Sequence, residues 1–593
     1  MDNLPDISSA VLDPIAFGLA LISRWPGAKA LTETEVLSRF PKRRNLQKVW
    51  RIPGVLPVSP TDVLVGLKQG HPWVLPIVSL LEATNAISLP HVEADGVLCL
   101  SPQAVVYSLP VGIAHVEELL KDAVDLIHKG ISKQNQHQFL VEANSYWQIV
   151  ASSPQSMWLT KPPPFQHSLW LSAEWNNKIV MAPDAEVLKK WATATKRSLS
   201  QSRPALVVRL GTPLLPEAYP LTMRDLERFI RASGAGDLLD TVVRRWDAKA
   251  LLPVVLAFQY DGKDVVLGAA FTPPSGIFMN GGKHPGIPGF RTKGRISPAA
   301  RLAALAVAPQ RFPHLQVISI FREFLTSRTT GALALDLANM HVVVAGCGAL
   351  GGQVAVHFAQ AGVGRLTLMD EDVFDWRNVG RHVLDGSYVG LNKADALKET
   401  IQKRFPDMQI DAVSATWEAH FNLNPPKDVF EKADLMVCLT GDPASNQHLD
   451  ALVQEGLVPP VVFGWLEPFG VAAHAIFSLA QSGSLKDCTD QTGLLLEPVT
   501  DRDSHPNLPQ EASCGAFYQP YSALSALHGV ALVAELAIDA LLGRQSTAIH
   551  RVWVGTASEF SQNKLSFVPK WHGLLNTQGF SRRFDLPIHP SKG

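Results

Sequence analysis

Residues 342–393 read VVVAGCGALGGQVAVHFAQAGVGRLTLMDEDVFDWRNVGRHVLDGSYVGLNK. The stretch starts with a run of valines, passes Gly346, Gly348 and Gly351 in a GxGxxG pattern, and continues into an apolar segment. A second apolar run ends at Asp370. This order predicts a strand, a glycine turn, a helix and a second strand, with the amides at the helix start available to a phosphate group. The sequence therefore predicts a Rossmann-like nucleotide-binding unit.

The pattern that follows the glycines decides between two kinds of nucleotide chemistry. A carboxylate about 20 residues after the glycines suits a ribose hydroxyl, which by itself favours a dinucleotide oxidoreductase. Here Asp370 and Asp372 are followed by Asn378, Arg381 and Lys393. Hydride transfer has no particular need for an arginine and a lysine at these places. Cations that converge on a triphosphate stabilise the pyrophosphate that leaves during attack on the α-phosphorus.

A further buried strand, in VCLTGDPASNQ at 437–447, ends at Asp442. The ordered set of GxGxxG, DxD, NxxR, lysine and strand-terminal aspartate resembles the adenylation domain of ubiquitin-activating (E1) and ThiF/MoeB-type enzymes over residues 340–545. The resemblance implies ATP and Mg²⁺, with the C-terminal glycine carboxylate of a protein as the nucleophile.

Site residues are carried over from this family by position. The resemblance implies that Asp370 binds ribose, that Asp442 binds magnesium, and that the phosphates are bound by Asn378, Arg381 and Lys393, near the turn of Gly346, Gly348 and Gly351 and next to Asp372. An arginine before the first strand often reaches the partner subunit's ATP in this family. Arg328 fits that position best, and Arg322 is the second choice.

The cysteines in the C-terminal half differ in context. Residues 462–480 predict two strands, and the polar loop 481–513 that follows ends just before Cys514 and a long apolar helix. The E1 family carries its thioester cysteine at the end of this crossover loop, and a helix N-terminus favours a thiolate. Cys488, between acidic neighbours, is the rival, and otherwise a surface-loop thiol. Cys347 and Cys438 are expected to be packing residues.

The N-terminal region contains LPHVEADGVLCLS at 89–101, in which Cys99 stands between two leucines. Periodicity alone favours a small buried hydrophobe at this cysteine. The order of helix, meander, Pro-His flap, cysteine and helix resembles the ubiquitin-conjugating (E2) fold, in which this cysteine carries the thioester. Glu93 occupies the place of the usual asparagine, so the group that stabilises the oxyanion stays open, and His91 is either structural or active near the site.

The middle of the chain predicts a connecting domain without assigned chemistry. Three prolines at 162–164 indicate a boundary, a helix is predicted over 222–246, and helical structure over 298–330. We therefore predict an α/β multidomain chain with an α+β ubiquitin-conjugating-like domain at 1–155, an α/β connecting domain at 156–305, and an adenylation domain with crossover loop and C-terminal tail at 306–593.

Composition limits the class of protein. A chain of 593 residues is too long for one core. Its 53 basic and 54 acidic side chains give no field that favours nucleic acid or an anionic membrane. The N-terminus lacks the basic region of a signal peptide. Five cysteines without a CxxC pair predict a reducing, cytoplasmic location and no structural zinc.

Together the two halves resemble the E2–E1 fusion proteins of bacterial CBASS anti-phage operons. That resemblance implies a thioester relay from Cys514 to Cys99, then conjugation to a target amine, with a cGAS-like nucleotidyltransferase as the activated protein and a homodimer as the assembly. Four alternatives stay open: another bacterial ubiquitin-like conjugation system, sulfur-carrier activation, a nicotinamide oxidoreductase, and an inactive binding scaffold.

Overall fold

The computed structural model describes residues 14–40, 45–82, 89–93, 95–100, 111–149, 155–273, 298–330, 336–423, 428–491, 493–501, 519–572 and 582–587. These residues divide into two compact units. The first lies within Met1–Ala185 and Leu199–Ile318, and the second within Glu186–Ser198 and Ser319–Gly593. The boundaries at 155/156 and 305/306 remain predictions.

The helices are α1 Pro14–Arg24, α2 Glu33–Arg39, α3 Ile113–Ile131, α4 Gln138–Val141, α5 Ala143–Ile149, α6 Ala185–Ala194, α7 Met223–Ala232, α8 Gly236–Arg245, α9 Pro298–Val307, α10 Arg322–Thr330, α11 Ala349–Ala361, α12 Lys393–Arg404, α13 Trp417–Leu423, α14 Asp428–Glu431, α15 Pro443–Gln454, α16 Ala523–Leu541, α17 Ala557–Gln562 and α18 Pro569–His572. Short 3₁₀ turns lie at Pro216–Ala218, Trp376–Asn378, Gly386–Tyr388, Pro468–Gly470 and Lys486–Cys488.

The strands are β1 Lys29–Ala30, β2 Leu46–Ile52, β3 Val63–Lys68, β4 Ile77–Leu80, β5 Ser156–Leu159, β6 Ser168–Trp175, β7 Lys178–Ala182, β8 Arg203–Arg209, β9 Leu252–Tyr260, β10 Lys263–Phe271, β11 His314–Ser319, β12 His341–Ala345, β13 Arg365–Met369, β14 Gln409–Val413, β15 Leu435–Cys438, β16 Val461–Leu466, β17 Ala472–Ser478, β18 Ile549–Val554 and β19 Arg582–Pro587.

The N-terminal part of the first unit is an antiparallel meander in the order β1-β2-β3-β4. Helix α3 buries Val116, Leu119 and Ala123, whose three- and four-residue spacing places them on one face of the helix. That face shares a hydrophobic core with Phe17 of α1 and Trp50 of β2. The predicted order of helix, meander, flap and helix is therefore confirmed.

The rest of the first unit is a closed barrel in the order β10-β11-β5-β7-β6-β8-β9. Trp147 of α5 packs into its larger core and donates from Nε1 to the carbonyl oxygen of Gly268 at 2.6 Å. The single helix predicted over 222–246 was wrong: Gly234, with φ of +87°, separates α7 from α8. The predicted helical stretch 298–330 also contains β11, which pairs with β10 where Gly268 permits a close approach.

The second unit is built on a sheet in the order β14-β13-β12-β15-β16-β17-β18-β19 among the described residues. The pairs from β14 through β16 are parallel, and those from β16 through β19 are antiparallel. In such parallel sheets, ligands bind at the carboxyl ends of the strands. The Rossmann-like fold and the strand pair predicted over 462–480 are confirmed.

Helix α16 is long and apolar enough to cross a membrane by length and composition alone. In this fold it packs into the core of the second unit, where Ala526, Val530 and Val533 contact the same cluster as Ala473 of β17. A Cβ added at Gly529 would lie 2.7 Å from Leu466 of β16. The apolar composition of α16 thus serves close packing against the sheet.

Candidate active sites

The glycine turn between β12 and α11 has the tight form that its sequence predicts. Gly346 adopts a φ of +85°, and a Cβ added at Gly351 would stand 1.8 Å from the Gly346 carbonyl oxygen. Gly348 caps α11 without a side chain, and a Cβ there would meet nothing within 4 Å. Within the described part of the chain, Gly348 provides no side-chain cap for the first turn of α11, which suits a phosphate or a carboxylate.

Asp370 follows β13 and lies beside this turn. Its Oδ2 accepts from the backbone N–H of Cys347 at 2.6 Å, and its Oδ1 accepts from that of Asp372 at 2.8 Å. Burial raises the pKa of Asp370, and Lys393 opposes that rise. Each carboxylate oxygen has a further acceptor site. The residue therefore fits a ribose hydroxyl.

A cavity of about 540 Å³ brings together four of the predicted nucleotide residues: Gly348, Asn378, Arg381 and Lys393. Lys393 begins α12 and is buried, and its Nζ donates to Asp372 Oδ2 at 2.7 Å. Asp372, the second aspartate of the DxD pattern, therefore forms an ion pair with Lys393, and Lys393 lines the cavity.

Arg381 and Asn378 come from the loop between β13 and α12. Asn378 Oδ1 accepts from the Asp375 backbone at 3.0 Å, which fixes a 3₁₀ turn. Arg381 donates from Nη1 to the Arg377 carbonyl at 3.0 Å, and its guanidinium lies 5.6 Å from the ring centre of Tyr521. These contacts hold Arg381 at the cavity. Among the described residues, its guanidinium forms no ion pair with a carboxylate.

Asp442 stands at the end of the loop after β15, between Gly441 and Pro443, which line the cavity. Its Oδ1 caps α15 by accepting from Ala444 at 2.8 Å and Ser445 at 3.3 Å. The described residues contain no group of three or more side chains that could together hold a metal ion. Magnesium is commonly held by one or two carboxylates together with substrate phosphates and water, and Asp442 fits that arrangement.

Of the two upstream arginines, Arg322 makes a hydrogen bond within its own chain. It is buried, and its Nη1 donates to the Val363 carbonyl at 2.5 Å. This bond holds the Arg322 side chain between α10 and the end of α11. Arg328 lies in α10, and its side chain is outside the described part of the structure.

Sequence reasoning missed a buried carboxylate, Glu467, in the wall of the same cavity. Its Oε1 accepts from His474 Nε2 and the Val499 amide, each at 2.8 Å. Its Oε2 accepts from the Thr500 amide at 2.8 Å and from the Thr500 hydroxyl. Burial opposes ionisation, but the bonds from His474, Thr500 and Val499 leave the pKa of Glu467 below its usual value. An acid inside the apolar run 461–478 was the signal available in the sequence.

The C-terminal half contains four cysteines. The structure describes three of them, and these three differ in burial. Cys347 and Cys438 are buried, as predicted, and burial raises the pKa of Cys438 to about 11. Cys488 is partly buried rather than a surface thiol, and burial together with Asp487 and Asp450 raises its pKa to about 12. Cys514 lies outside the described residues.

Cys99 is exposed at the end of the flap in the first unit. Its backbone N–H donates to the His91 carbonyl at 2.8 Å. Partial burial is the largest cause that raises the pKa of the Cys99 thiol. The negative charges of Glu142 and Glu93 raise it further. A raised pKa keeps the thiol protonated near neutral pH, so attack by this sulfur has to include loss of its proton.

His91 and Tyr146 form the other side of this site. His91 has a left-handed φ of +59°, and its backbone N–H donates to the Tyr146 hydroxyl at 2.5 Å. The His91 Nδ1 atom lies 3.5 Å from Glu142 Oε1, which is an ionic contact only when the ring is protonated. Burial raises the pKa of Tyr146 to about 12. The sequence analysis did not link Glu142 or Tyr146 to Cys99.

Comparison with protein families matches each of these regions. Residues 322–556 match the ThiF family, and residues 23–154 match prokaryotic E2 family B. The chain joins a prokaryotic E2 domain to a ThiF domain. Cys99 lies in the E2 domain, and the cavity with Gly348, Arg381 and Lys393 lies in the ThiF domain.

Two curated relatives carry the name ATP-dependent ubiquitin transferase-like protein Cap2. The one from Pseudomonas aeruginosa strain BWHPSA011 is 26% identical over 232 residues, which are 38% of this chain and 40% of that protein. The one from Enterobacter hormaechei subsp. hoffmannii strain UCI 50 is 26% identical over 199 residues, 31% of this chain and 32% of that protein. The matched stretch thus spans less than half the length of either relative.

Among solved structures, the crystal structure of E. coli MccB with ATP is similar at 19% identity and a TM-score of 0.30. The overlap covers 40% of this chain and 65% of MccB.

Proposed function

We propose that this chain activates the C-terminal glycine of a protein with ATP and passes the acyl group through two cysteines to an amine. The observation that carries the proposal is the cavity in which Asn378, Arg381 and Lys393 meet the open start of α11 at Gly348. A site of this kind holds a polyphosphate by cations and backbone amides. The names of the Cap2 relatives, which include ATP and ubiquitin transfer, agree with it.

In the first step the terminal carboxylate attacks the α-phosphorus of ATP, an acyl-adenylate forms, and pyrophosphate leaves. Asp370 holds the ribose, and Arg381 and Lys393 stabilise the negative charge that develops on the phosphates. Asp442 would hold Mg²⁺, which supplies further charge neutralisation at the phosphates. Lys393 is already oriented by Asp372, so it needs little reorganisation to act.

The second and third steps move the acyl group between thiols. The Cys514 thiolate attacks the acyl carbon and AMP leaves. The Cys99 thiolate then attacks the thioester and the Cys514 thiolate leaves. Residues on both sides of Cys514 in the chain, Thr500 and Gln519, line the adenylation cavity, and so do Leu485 and Thr489 on both sides of Cys488. The assignment of Cys514 therefore rests on the resemblance to E1 enzymes. Cys488 is partly buried, whereas Cys99 is exposed, and this burial, which raises the pKa of Cys488 to about 12, argues against the rival thiol.

In the last step an amine of the target attacks the Cys99 thioester, the thiolate leaves, and the amine loses a proton. We assign the activated protein as a cGAS-like nucleotidyltransferase, the setting as CBASS anti-phage defence in the cytoplasm, and the assembly as a homodimer, on the resemblance to E2–E1 fusion proteins. Arg328 remains the proposed arginine that reaches the partner subunit's ATP.

The proposal is tested by exchange of labelled pyrophosphate into ATP. We expect exchange that requires both Mg²⁺ and a protein with a free C-terminal glycine, and none when that glycine is amidated. The oxidoreductase interpretation predicts instead that NAD binds at the cavity and that no exchange occurs with any tail. Binding of NAD without pyrophosphate exchange would contradict the adenylation proposal.

A further inference from the structure

Cys99 stands opposite His91 in a short antiparallel pairing. Val92 is bridged to Leu98, and both side chains are buried in the core that α3 shares with β2. The Cys99 N–H donates to the His91 carbonyl oxygen at 2.8 Å. The backbone that carries the Cys99 sulfur is therefore held directly by the backbone of His91.

The backbone of His91 has a conformation that few residues other than glycine adopt. Its φ of +59° lies in the left-handed region, and such a conformation persists where surrounding contacts fix it. A first contact is the bond from Cys99 to the His91 carbonyl oxygen. A second is the bond from the His91 N–H to the Tyr146 hydroxyl oxygen at 2.5 Å. Both backbone polar groups of His91 thus have partners, and Tyr146 comes from a different element of the fold.

Tyr146 belongs to a helix that also enters the barrel. It lies in α5, is 3% exposed, and meets the ring of Phe139 edge-on, with 4.7 Å between the ring centres. The next residue, Trp147, is fully buried in the barrel core, where it donates to the Gly268 carbonyl at 2.6 Å and its ring centre lies 4.4 Å from that of His314. Consecutive helical residues point about 100° apart. Helix α5 therefore presents one ring to His91 and the next to the barrel.

We propose that Tyr146 is a positioning residue for Cys99, and that the barrel of β5–β11 holds it in place through Trp147. The proposal rests on the proposed function, in which Cys99 accepts the acyl group. Without the Tyr146 hydroxyl, the His91 N–H loses its partner, and His91 is free to relax to a negative φ. That change shifts the backbone of Cys99, and a misplacement of about 1 Å in a reacting group lowers a rate by as much as about 100-fold.

The test follows the two thiol-labile adducts of the full chain with ATP, Mg²⁺ and a carrier protein that ends in glycine. Tyr146→Phe should form the first adduct and exchange pyrophosphate at unchanged rates. It should form the second adduct, on Cys99, at least about tenfold more slowly, because it changes the thiol position and leaves adenylation untouched. The matched control Tyr260→Phe removes a tyrosine hydroxyl at the end of β9 and should form both adducts at unchanged rates.

The failure of this proposal is distinct from the failure of the relay. An unchanged rate of the second adduct in Tyr146→Phe would overturn the positioning role and leave the relay in place. Absence of the second adduct in the unchanged chain would overturn the relay and this proposal together.

The substitution His91→Gly separates a positioning role from a general loss of stability. Glycine adopts a positive φ without steric strain, so it needs no contact to stay left-handed. Amide exchange at Cys99, which requires no ATP, should be about tenfold or more faster in Tyr146→Phe than in the unchanged chain. In the His91→Gly background, Tyr146→Phe should change this exchange and the rate of the second adduct by less than about twofold. Effects of equal size in both backgrounds would overturn the route through His91.

The part played by the barrel is tested by Trp147→Phe, which keeps an aromatic ring and removes the donor to Gly268. It should slow the second adduct about threefold or more and add nothing to Tyr146→Phe when the two are combined, because both act through one hydroxyl. The control Trp246→Phe removes an equally buried indole donor, to the Ala250 carbonyl, in the same core and should leave the second adduct unchanged. Multiplying effects of Trp147→Phe and Tyr146→Phe would contradict the link.

Discussion

Glu467→Gln tests the buried network that joins β16 to residues 499–500. The carboxylate accepts bonds from four donors, on His474, Val499 and Thr500. A glutamine can accept at its carbonyl oxygen alone and turns its NH₂ group toward the other donors, so about two buried donors lose their partner. Each unsatisfied buried group costs about 1–3 kcal/mol, so we expect a loss of about 2–6 kcal/mol in local stability.

Native-state hydrogen exchange measures this loss at the residues concerned. The amides of Val499 and Thr500 should exchange about 30-fold or more faster in Glu467→Gln, because each 1.4 kcal/mol changes the opening equilibrium about tenfold. The control Glu497→Gln removes a partly exposed carboxylate that pairs with Lys570, and it should leave these amides nearly unchanged. Equal protection of Val499 in both variants would refute the reasoning.

The same network gives a pH dependence of defined sign. The folded pKa of Glu467 lies below its ordinary value, so its carboxylate stabilises the fold above that ordinary value. The stabilisation is lost as pH falls through the lower, folded pKa. The difference in amide exchange rate at Val499 and Thr500 between the unchanged chain and Glu467→Gln should therefore become smaller as the pH falls through the folded pKa of Glu467.

Three further variants test other parts of the structure. Burial lowers the pKa of His314 to about 4, so the first unit should lose about 2 kcal/mol of stability between pH 7 and pH 5, and thermal unfolding of His314→Phe should lack that loss. Gly351→Ala should lower the thermal stability of the ThiF domain, because its Cβ would stand 1.8 Å from a carbonyl oxygen, whereas Gly348→Ala should fold normally. Lys393→Met should reduce kcat of pyrophosphate exchange about 100- to 1000-fold, and Lys398→Met on the same helix should not.

The residues of the ThiF site that lie close together in the chain could be predicted from the sequence. The glycine spacing, the strand-terminal Asp370 and the positions of Arg381 and Lys393 depend on residues that are close in the chain, and a parallel sheet gathers strand ends at one edge. The structure places Gly348, Arg381 and Lys393 at one cavity. Their roles toward ATP remain predictions.

The features that sequence reasoning missed depend on distant residues or on backbone conformation. Glu467 is satisfied by Thr500, 33 residues away, and no local pattern reveals that pairing. The commitment of Arg322 to the Val363 carbonyl is equally non-local. The break between α7 and α8 follows from the left-handed conformation of Gly234, because an isolated glycine in an amphipathic stretch does not by itself end a helix.

The direct test of the two-thiol relay is a non-reducing gel of the chain incubated with ATP, Mg²⁺ and a protein that carries a C-terminal glycine. We predict two thiol-labile adducts in the unchanged chain, none in Cys514→Ala, and only the first in Cys99→Ala. Cys488→Ala should behave as the unchanged chain, since its thiol is partly buried and its pKa is raised to about 12. An adduct that persists in Cys514→Ala would contradict the account and transfer the first acceptor role to Cys488.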